Sequence, residues 1–468
     1  MEHERRGTSS PGSIPVAREF ARLMVETSFK DLPEQAVDYA AMLVASTIAS
    51  SAFGTTIRSA QVVRDLVWER RGAEQASVWF EAGTKLSLVD AVRLNAVRSS
   101  AAASDDSDLR NIVHAGTPAT TAALAVGERE GASGEDVLAA IALGYEAAAR
   151  VGASITPGYK QRGFHGCIAA IFASTVASGR LLRLDEDRMT HAIALAATTI
   201  SGFVRAADVS TAREHHDSMA ATLGTEAALA AGHGFTVDDR VFERAQGYFE
   251  VFGQTTEAAG RTAMCAGFGT SWAIVDFMAI KLIPGGHPFH AGAEAAAAVV
   301  RQAGITPADI TSIEVAAPGL KELVGPRHPV DLVQMAHSQA YFVAAGAADG
   351  EFSWGHASGE KIADPEIHRL IDLIRVDPAP CELPERYRQG ATVTVHTRDG
   401  RSASATVFEP AGSGAQGISW NDVDAKYRAL VPLSGLGGGA VDASLAEIHR
   451  LAELPDVLPL TRSLVRNA

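Results

Sequence analysis

Small apolar side chains that recur at helical spacing over more than half of the chain constrain the fold more than any other feature. From Ile14 to Ala273, Ala, Leu, Val and Ile return every three or four residues, and Gly, Pro and Ser interrupt them at intervals that suit helix ends. Segments 168–177 and 192–200 are apolar on nearly all faces, which is typical of helices inside a large α-helical domain or at a subunit interface. The sequence therefore predicts a bundle of many helices.

Local signals mark where several of these helices begin. The segment 33–51 opens on a proline, and the segments 87–103 and 133–151 open on Ser87 and Ser133. A serine that accepts a backbone N–H at the start of a helix, followed by acidic residues in the first turn, stabilises that start. We expect helices over these three ranges.

The pattern changes after Val275, where alternation typical of strands replaces helical spacing. Strands are predicted over 276–283 and 310–317, a helix over 291–303, and a hairpin over 391–408 whose alternating residues flank an Arg-Asp-Gly-Arg turn. A Gly-rich stretch after Pro410 leads into short helices around 420–430 and 440–454, which can pack back on the first domain. The predicted fold is mainly α, with a loose tail at 1–13, a helical domain at 14–275, an α+β domain at 276–410 and a returning C-terminal segment at 411–468.

Charge and composition limit the kind of partner. The chain has 41 basic and 55 acidic residues, a formal net charge of −14 and no Lys/Arg-rich run, which argues against a nucleic-acid or anionic-membrane partner. With 47% hydrophobic residues over 468 residues the chain can bury a large core, so a disordered protein is excluded. A small molecule is the expected partner.

Cysteine use and the N-terminus predict a cytoplasmic protein. Cys167, Cys265 and Cys381 lie far apart without paired spacing, which fits neither a disulfide framework nor a zinc ribbon and indicates a reducing compartment. The first residues lack the apolar core of a signal peptide, and no uncharged apolar stretch long enough to span a bilayer follows. We expect a soluble protein that is not exported.

Four clusters of ionisable residues lie at the joins between predicted helices. Familiar nucleotide-binding, zinc-protease and serine-nucleophile motifs are missing from the sequence, so chemistry without a cofactor is the simplest enzymatic interpretation. The clusters are 104–116 with His114, 163–166 with His165 between glycines, 213–217 with Arg213 and His216, and 281–290 with Lys281, His287 and His290.

Each cluster also has a simpler structural interpretation. Segment 104–116 fits a solvated loop with helix caps, His165 fits a buried and satisfied side chain, and 281–290 fits a turn with an exposed lysine. Segment 213–217 suggests metal ligands, but adjacent residues of a helix point in different directions, so a helix start with an arginine for a carboxylate is favoured and no metal is predicted. Four signals of the same chemical kind nevertheless favour a common site.

In their order and separation, these motifs resemble those of the MmgE/PrpD family, and the resemblance covers nearly the whole chain. The matching segments are Asp105-Asp106-Ser107 followed by His114-Ala115-Gly116, Gly163-Phe164-His165, His216 with Ala220-Ala221 and Gly234-Phe235, Lys281 with Pro284 and His290, and Ser338-Gln339-Ala340-Tyr341. The resemblance implies a large all-helical domain completed by the C-terminal segment, a smaller α+β lid domain, an active site in the crevice and a homodimer. It also implies chemistry without metal or organic cofactor on small anionic di- and tricarboxylates, at a carbon next to a carboxylate.

Two positions depart from the pattern of that family. Ala103 stands where the family often has an additional Asp, which leaves the dehydratase or decarboxylase assignment open. Arg213 stands where the family has a Lys before the His of the third motif. Arginine keeps a carboxylate-binding cation but removes a group that can exchange a proton near neutral pH, so Arg213 is expected to bind substrate.

Removing the weakly acidic proton beside a carboxylate requires a positioned base and cations around the charge that develops. His114 or His165 is expected to act as base or acid, Asp106 to orient a His or Lys, and Tyr341 and His290 to orient groups or relay protons. The catalytic candidates are His114, His165, Lys281, Tyr341 and Asp106. The substrate-binding candidates are Arg213, His216, Ser107, His290 and His287, and the further cations expected in the cleft are Arg162, Arg205 and Arg327.

The expected function is that of a cofactor-independent lyase that eliminates water from a small hydroxy-polycarboxylate. An epimerase or isomerase, or a decarboxylase, acting on a similar substrate is the alternative among enzymes, because a fold does not choose among them. A catalytically silent relative that only binds a carboxylate ligand or a partner protein is the alternative of a different class.

Overall fold

The structure is a computed structural model that describes residues 13–83, 85–377, 379, 383–384, 389–414 and 416–466. Nearly all of the predicted tail at 1–13 and the third cysteine, Cys381, lie outside the described residues. The other two cysteines, Cys167 and Cys265, are free thiols.

The first part of the chain is helical, as its spacing predicts. Its helices are α1 Val16–Glu26, α2 Glu34–Gly54, α3 Arg58–Glu69, α4 Leu88–Ser100, α5 Gly116–Glu130, α6 Gly134–Ile155, α7 Gly158–Gln161, α8 Cys167–Leu181, α9 Glu186–Thr199, α10 Val204–Val209, α11 Ala212–Gly232, α12 Glu257–Cys265 and α13 Ala273–Asp276. Two short strand pairs accompany them, β1 Ala76–Ser77 with β2 Lys85–Leu86, and β3 Ser107–Asp108 with β4 Met278–Ala279.

The centre of this helical domain is α8, which packs against α5, α6 and α11. Nearly every residue of α8 is buried, and its faces are lined by alanines and β-branched or aromatic residues. A helix that is apolar on all sides is stable only when other helices surround it. Apart from Arg180 in its last turn, α8 carries no large polar side chain, and this composition dictates its central position.

The α+β part has its own hydrophobic core, and we call the range 283–407 the lid. Its helices are α14 His290–Ala303, α15 Leu332–Ala336, α16 Gln339–Asp349, α17 Gly359–Ile362 and α18 Pro365–Asp372, and its strands are β5 Ile310–Ala316, β6 Ile374–Val376, β7 Ala391–Thr397 and β8 Ser402–Val407. The sheet order is β6-β5-β7-β8, with β5 parallel to β6 and the other pairs antiparallel. Alternate residues of β7 are buried, and α14 packs on β7 and β8.

The C-terminal segment returns to the helical domain. Its helices are α19 Trp420–Leu430, α20 Gly438–His449 and α21 Leu458–Ser463. The helix α19 packs on α2, where the Trp420 indole donates to Asp38 at 2.6 Å, and buried residues of the segment belong to the same hydrophobic core as α2 and α8. The chain is thus mainly α, with a smaller α+β part between two stretches of one helical core.

One predicted strand is wrong over most of its length. The range 276–283 was expected to be a strand, but only Met278 and Ala279 pair with a neighbour, and residues 281–286 form an irregular turn. Lys281 lies in this turn, and its buried side chain is held by polar partners that a regular strand would not reach. The predicted hairpin at 391–408 and the strand at 310–317 are confirmed to within one or two residues.

Two helices, α2 and α6, are long and apolar enough to cross a bilayer by length and composition alone. In the structure, 83% of the apolar window of α2 and 94% of that of α6 is buried inside the protein. Their apolar character is therefore accounted for by the helical core that surrounds them.

The contact between α8 and α11 yields a prediction for stability. A Cβ atom on Gly224 of α11 would lie 2.1 Å from the Ser174 Oγ and 2.4 Å from the Ile171 carbonyl oxygen of α8. We expect Gly224→Ala to destabilise the protein by about 1–3 kcal/mol, because the two helices must move apart. Urea unfolding followed by circular dichroism measures the change.

The matched control is Gly439→Ala in α20, where a Cβ would meet no heavy atom within 4 Å. Because alanine is a better helix former than glycine, this variant should be as stable as the parent or more so. Equal stability of the Gly224→Ala variant and the parent would contradict the close approach of α8 and α11.

Candidate active site

A cavity of about 710 Å³ lies between the helical domain and the lid, a volume typical of small-molecule sites. One wall is formed by the segment before α5, the start of α8 and the helices α10 and α11, and the other by lid residues around 286–289 and 324–326. Its ionisable lining residues are His114, Lys160, His165, Arg205, Asp208, Arg213, Lys281, His287 and His337.

The buried end of the cavity is organised by the carboxylate of Asp105. Its Oδ1 accepts from Arg213 Nη2 at 2.5 Å and from Lys281 Nζ at 3.1 Å, and its Oδ2 lies 3.4 Å from His114 Nδ1. All four side chains are buried. Two further contacts fix the cations, since Arg213 Nη1 donates to the Ser100 carbonyl oxygen at 2.6 Å and Lys281 Nζ to that of Ala103 at 2.9 Å.

Local folding explains how residues so distant in sequence meet there. The short strand β3 follows Asp105 and Asp106 and pairs with β4, whose last residue, Ala279, is two positions before Lys281. Arg213 lies in the first turn of α11, which packs against α4. The strand pair thus brings the lysine, and the helix packing brings the arginine, to the segment that follows α4.

The charges of this group depend on one another. Burial alone would raise the pKa of Asp105, but the neighbouring cations, Arg213 above all, hold it well below its usual range. Burial lowers the pKa of Lys281, and the Asp105 charge opposes that effect. Burial also raises the pKa of Asp217, which lies 3.9 Å from Arg213, to about 8. The site therefore holds a permanent carboxylate, a permanent guanidinium and an amine that releases its proton more easily than a lysine in water.

His114 has one unprotonated ring nitrogen, Nε2, next to Arg213. Its Nδ1 lies 2.6 Å from the backbone carbonyl oxygen of Asp106, and a carbonyl only accepts, so Nδ1 carries the proton of the neutral ring. Burial lowers the pKa of His114 to about 3, so the ring is neutral at pH 7 and Nε2 is a proton acceptor. Arg213 Nη2 lies 3.5 Å from that Nε2.

His165 presents the opposite tautomer. Its Nδ1 accepts the backbone N–H of Cys167 at 3.3 Å, so in the neutral ring Nε2 carries the proton and is a donor. Burial holds the pKa of His165 well below its ordinary value. The two histidines that the sequence could not distinguish thus differ in chemistry, one offering an acceptor and the other a donor.

The donor atoms of His165, Cys167 and His216 lie within 4.8 Å of one another, which raises the question of a metal site. Burial raises the pKa of the Cys167 thiol above its usual range, and the thiol lies 3.9 Å from the carbonyl oxygen of His165. A metal requires a thiolate and free imidazole nitrogens, whereas His165 Nδ1 is already occupied by a backbone N–H. These three residues suit packing better than metal ligation.

On the lid side, His287 is the group most clearly prepared for a ligand. It is 1% exposed and lines the cavity, and neither ring nitrogen has a hydrogen-bond partner among the described residues. Burying an imidazole without partners is costly, so such a group is expected to pair with something that enters the site. His290 lies behind it, with ring centroids 4.9 Å apart, and does not itself line the cavity.

Several predicted site residues lie elsewhere. Tyr341 is buried in the core of the lid and donates to the His356 carbonyl oxygen at 2.9 Å, so it does not reach the cavity to relay a proton. The Asp106 carboxylate accepts the Gly116 N–H at the start of α5, and it orients neither a His nor a Lys. Burial and the Asp105 charge raise the pKa of Asp106 to about 7.

Of the remaining predicted site residues, some line the cavity and others lie outside it. Ser107 lines the cavity with its Oγ 3.3 Å from His114 Nδ1, whereas His216 packs behind His165 with ring centroids 5.1 Å apart. Arg205 lies at the cavity mouth. Arg162 and Arg327 instead donate to backbone carbonyl oxygens away from the cavity.

Sequence reasoning missed three groups. Asp105 is part of the Asp105-Asp106-Ser107 motif, but Asp106 is the site residue proposed from the sequence. The sequence does not show which of two adjacent carboxylates faces the cavity. His337 lines the cavity. It directly precedes the motif that begins at Ser338, and this position in the sequence could have indicated it as a site residue. Lys426 on α19 is buried and donates to Ser46 Oγ at 2.9 Å and to the Ser104 carbonyl oxygen at 3.1 Å, and no local pattern marks it.

A helical domain and an α+β lid that enclose histidines and cations around a buried aspartate agree with the family suggested by the motifs. The chain belongs to the MmgE/PrpD family, because the family's N-terminal domain matches residues 18–260 and its C-terminal domain matches residues 284–438.

Among curated proteins, the chain is similar to a cis-aconitate decarboxylase of Aspergillus terreus, with 26% identity over 284 residues and 57% of each chain covered. A protein of the same name from A. terreus strain NIH 2624 / FGSC A1156 matches to the same extent. A cis-aconitate decarboxylase-like protein, oryM, of Aspergillus oryzae strain ATCC 42149 / RIB 40 is 27% identical over 274 residues, with 54% of each chain covered. The matches span little more than half the length of these relatives.

The Asp105 group yields a second prediction. We expect Asp105→Asn to destabilise the protein by about 3–5 kcal/mol, because Arg213 and Lys281 would be left in a buried site without their counter-charge. Urea unfolding at pH 7 measures the loss.

Asp187→Asn is the matched control, since Asp187 is 66% exposed and pairs with Arg18 at the surface. That variant should lose no more than about 1 kcal/mol. Similar losses for the two variants would show that the Asp105 contacts do not carry the expected electrostatic energy.

His287 yields a prediction for pH dependence. Burial lowers its pKa to about 3, and the Lys281 charge adds to this, whereas in the unfolded chain a histidine titrates near its ordinary value of 6.5. Between these two values the unfolded state binds a proton that the folded state does not, so the parent loses stability through His287 as the pH falls below about 6.5.

The non-titrating variant His287→Phe isolates this contribution from the other buried groups. The free energy of unfolding of the parent minus that of the variant should fall by up to about 1.4 kcal/mol per pH unit below pH 6.5. Urea unfolding of both proteins from pH 7.5 to pH 5 tests this, and a difference that stays constant over that range would contradict the buried, neutral state of His287.

Proposed function

We propose that the chain is an enzyme that removes a proton from a carbon next to a carboxylate of a small polycarboxylate, and that it is a lyase which eliminates water from a hydroxy-polycarboxylate. The observation that carries the proposal is the Asp105 group, which holds Arg213 and Lys281 beside the unprotonated Nε2 of His114 at the buried end of one cavity. Cations next to a neutral base are what proton removal beside a carboxylate requires.

Both cations keep donors for a substrate. The Lys281 ammonium has three N–H groups and uses two of them, on Asp105 and the Ala103 carbonyl oxygen. Arg213 has five and likewise bonds Asp105 and the Ser100 carbonyl oxygen. A substrate carboxylate at this end of the cavity would therefore meet positive charge that is fixed in position before it arrives, which lowers the cost of ordering the site.

In the proposed reaction, His114 Nε2 takes the proton from carbon, and the electron pair of the C–H bond moves towards the carboxylate. Arg213 and Lys281 stabilise the negative charge that develops on the carboxylate oxygens. The pair then forms the C=C bond as the bond to the hydroxyl group breaks, and the leaving oxygen takes a proton from the Lys281 ammonium and departs as water. His114 returns its proton to Lys281 through solvent before the next turnover.

The other cavity histidines would orient the substrate. His165 offers its Nε2–H as a donor to a substrate oxygen, and His287 offers two nitrogens without partners among the described residues. These contacts come from the helical domain and from the lid, so a substrate that uses both would hold the two parts together.

Decarboxylation is the second candidate, and the names of the relatives favour it. In that reaction the bond between carbon and a carboxylate breaks, CO₂ leaves, and the resulting carbanion takes a proton from the Lys281 ammonium. The same cations would serve both reactions, and the position of the hydroxyl or carboxylate leaving group relative to them would select between the two.

Proton NMR in D₂O tests the proposal with hydroxy-dicarboxylates, hydroxy-tricarboxylates and cis-aconitate as probes. New vinyl signals from a hydroxy acid support elimination, and CO₂ release with loss of a carboxylate from cis-aconitate supports decarboxylation instead. Exchange at carbon with formation of a diastereomer would indicate an epimerase. Calorimetric binding without turnover or exchange would overturn the proposal in favour of a catalytically silent relative.

The role of His114 gives a further prediction. We expect His114→Asn to lower kcat by about 10²- to 10⁴-fold, because the base is lost while the cations that bind the carboxylate remain. His233→Asn, at an exposed position after α11, is the control and should keep the parent kcat. If the first substrate identified is turned over at the parent rate by the His114 variant, the assignment of the base is wrong.

A further inference from the structure

A second cavity, of about 360 Å³, lies on the helical domain and shares no lining residue with the first. It is formed where the end of α2 and the start of α3 approach α4 and the last described residues of the chain. Four arginines line it, together with two carboxylates. The arginines are Arg58, Arg64, Arg98 and Arg466, and the carboxylates are those of Glu81 and Asp65. This excess of positive charge contrasts with a chain whose net charge is −14.

Three of the arginines share one carboxylate. Glu81 accepts from Arg64 Nε at 2.9 Å and Nη2 at 3.2 Å and from Arg98 Nη2, and Arg466 Nη2 lies 3.8 Å from it. Arg64 Nη1 also lies 3.7 Å from Asp65 Oδ1, so two carboxylates face the four guanidinium groups of the cavity, each of which has five N–H donors. The positive charge and the unused donors therefore converge on the cavity.

Arg58 adds a fourth guanidinium group to the cavity. In the part of the chain that the structure describes, its guanidinium makes no hydrogen bond and no ion pair. It is the first residue of α3, a helix of 12 residues whose preceding residue, Ile57, provides no side-chain cap. The free N–H groups of that first turn add to the positive potential of the guanidinium groups.

We propose that this cavity binds a small oxyanion with two or more negative charges, either a phosphate or a polycarboxylate, at a site separate from the catalytic cavity. Guanidinium groups bind both anions in a bidentate manner, and several of them fixed around one cavity favour a multiply charged anion over chloride. The proposal rests on the charge and geometry of this cavity and does not depend on the reaction proposed for the first one.

Arg98 connects the proposed anion site to the first cavity through the end of α4. Arg98 lies in the last turn of α4, two residues before Ser100, whose carbonyl oxygen accepts from Arg213 at the catalytic cavity. Its backbone is in contact with α2, because a Cβ on Gly54 would lie 1.9 Å from the Arg98 carbonyl oxygen. The anion site and the catalytic cavity are thus on opposite sides of one tightly packed helix end.

Isothermal titration calorimetry of the full chain at constant ionic strength tests the proposal, with inorganic phosphate, pyrophosphate and citrate as separate probes. Because citrate can also bind to the first cavity, its titrations are fitted with two independent sites. The test variant is Arg58→Gln with Arg466→Gln, which leaves the buried Arg98 and its contact with Glu81 in place. We expect at least one probe to bind to the parent, and its affinity to fall about tenfold or more in the variant, as for the loss of charge-assisted hydrogen bonds. The probe that shows this loss identifies phosphate or carboxylate as the ligand class.

The matched control is Arg244→Gln with Arg401→Gln, which changes the net charge by the same amount at two exposed arginines, one far from the cavity in sequence and the other in the lid. Its affinity should equal that of the parent, and all three proteins should have the same Tm. Equal affinity in the test variant, an equal loss in the control, or no binding of any probe at millimolar concentration would each overturn the proposal.

Discussion

The cavity between the helical domain and the lid depends on the charge of one buried residue, Asp105. Its carboxylate joins Arg213 from α11 and Lys281 from the turn after β4, and it lies beside His114 from the segment before α5. Two cations side by side in a buried site repel each other and lose their hydration, so this counter-ion is needed to offset the cost of burying them. Because the carboxylate occupies only some of their donors, it also leaves the cations able to bind a second carboxylate, that of a substrate.

Much of the fold could be predicted from sequence because its signals are local. Small apolar residues at helical spacing predicted α6 and α8, and alternation with a turn predicted the β7–β8 hairpin. The prediction of a strand over 276–283 is wrong for a physical reason. Its apolar residues are buried like those of a strand, but the ammonium of Lys281 needs the backbone carbonyl oxygen of Ala103, and the chain leaves the ladder after two residues to reach it. Such a long-range polar contact produces no periodic pattern in the sequence.

The candidate site, like the fold, could be predicted from the sequence only in part. Sequence motifs predicted that His114, His165, Arg213 and Lys281 belong to one site, and all four line one cavity. The direction in which each side chain points was not predictable, since it depends on backbone partners. The proton on His114 is fixed by a carbonyl oxygen and that on His165 by a backbone N–H, and neither contact leaves a mark in the sequence. Tyr341 illustrates the limit, because a tyrosine in a matching motif points into the core of the lid.

Lys426 connects the segment before Asp105 to a helix that is synthesised much later. Its ammonium donates to the carbonyl oxygen of Ser104, 322 residues earlier in the chain, and so holds the segment that carries Asp105. A ribosome releases α2 before it releases α19, so in the growing chain the face of α2 that α19 covers stays exposed until α19 emerges. Chaperones that recognise exposed apolar surface have that interval in which to act, and the segment that carries Asp105 lacks its contact with Lys426 until α19 emerges.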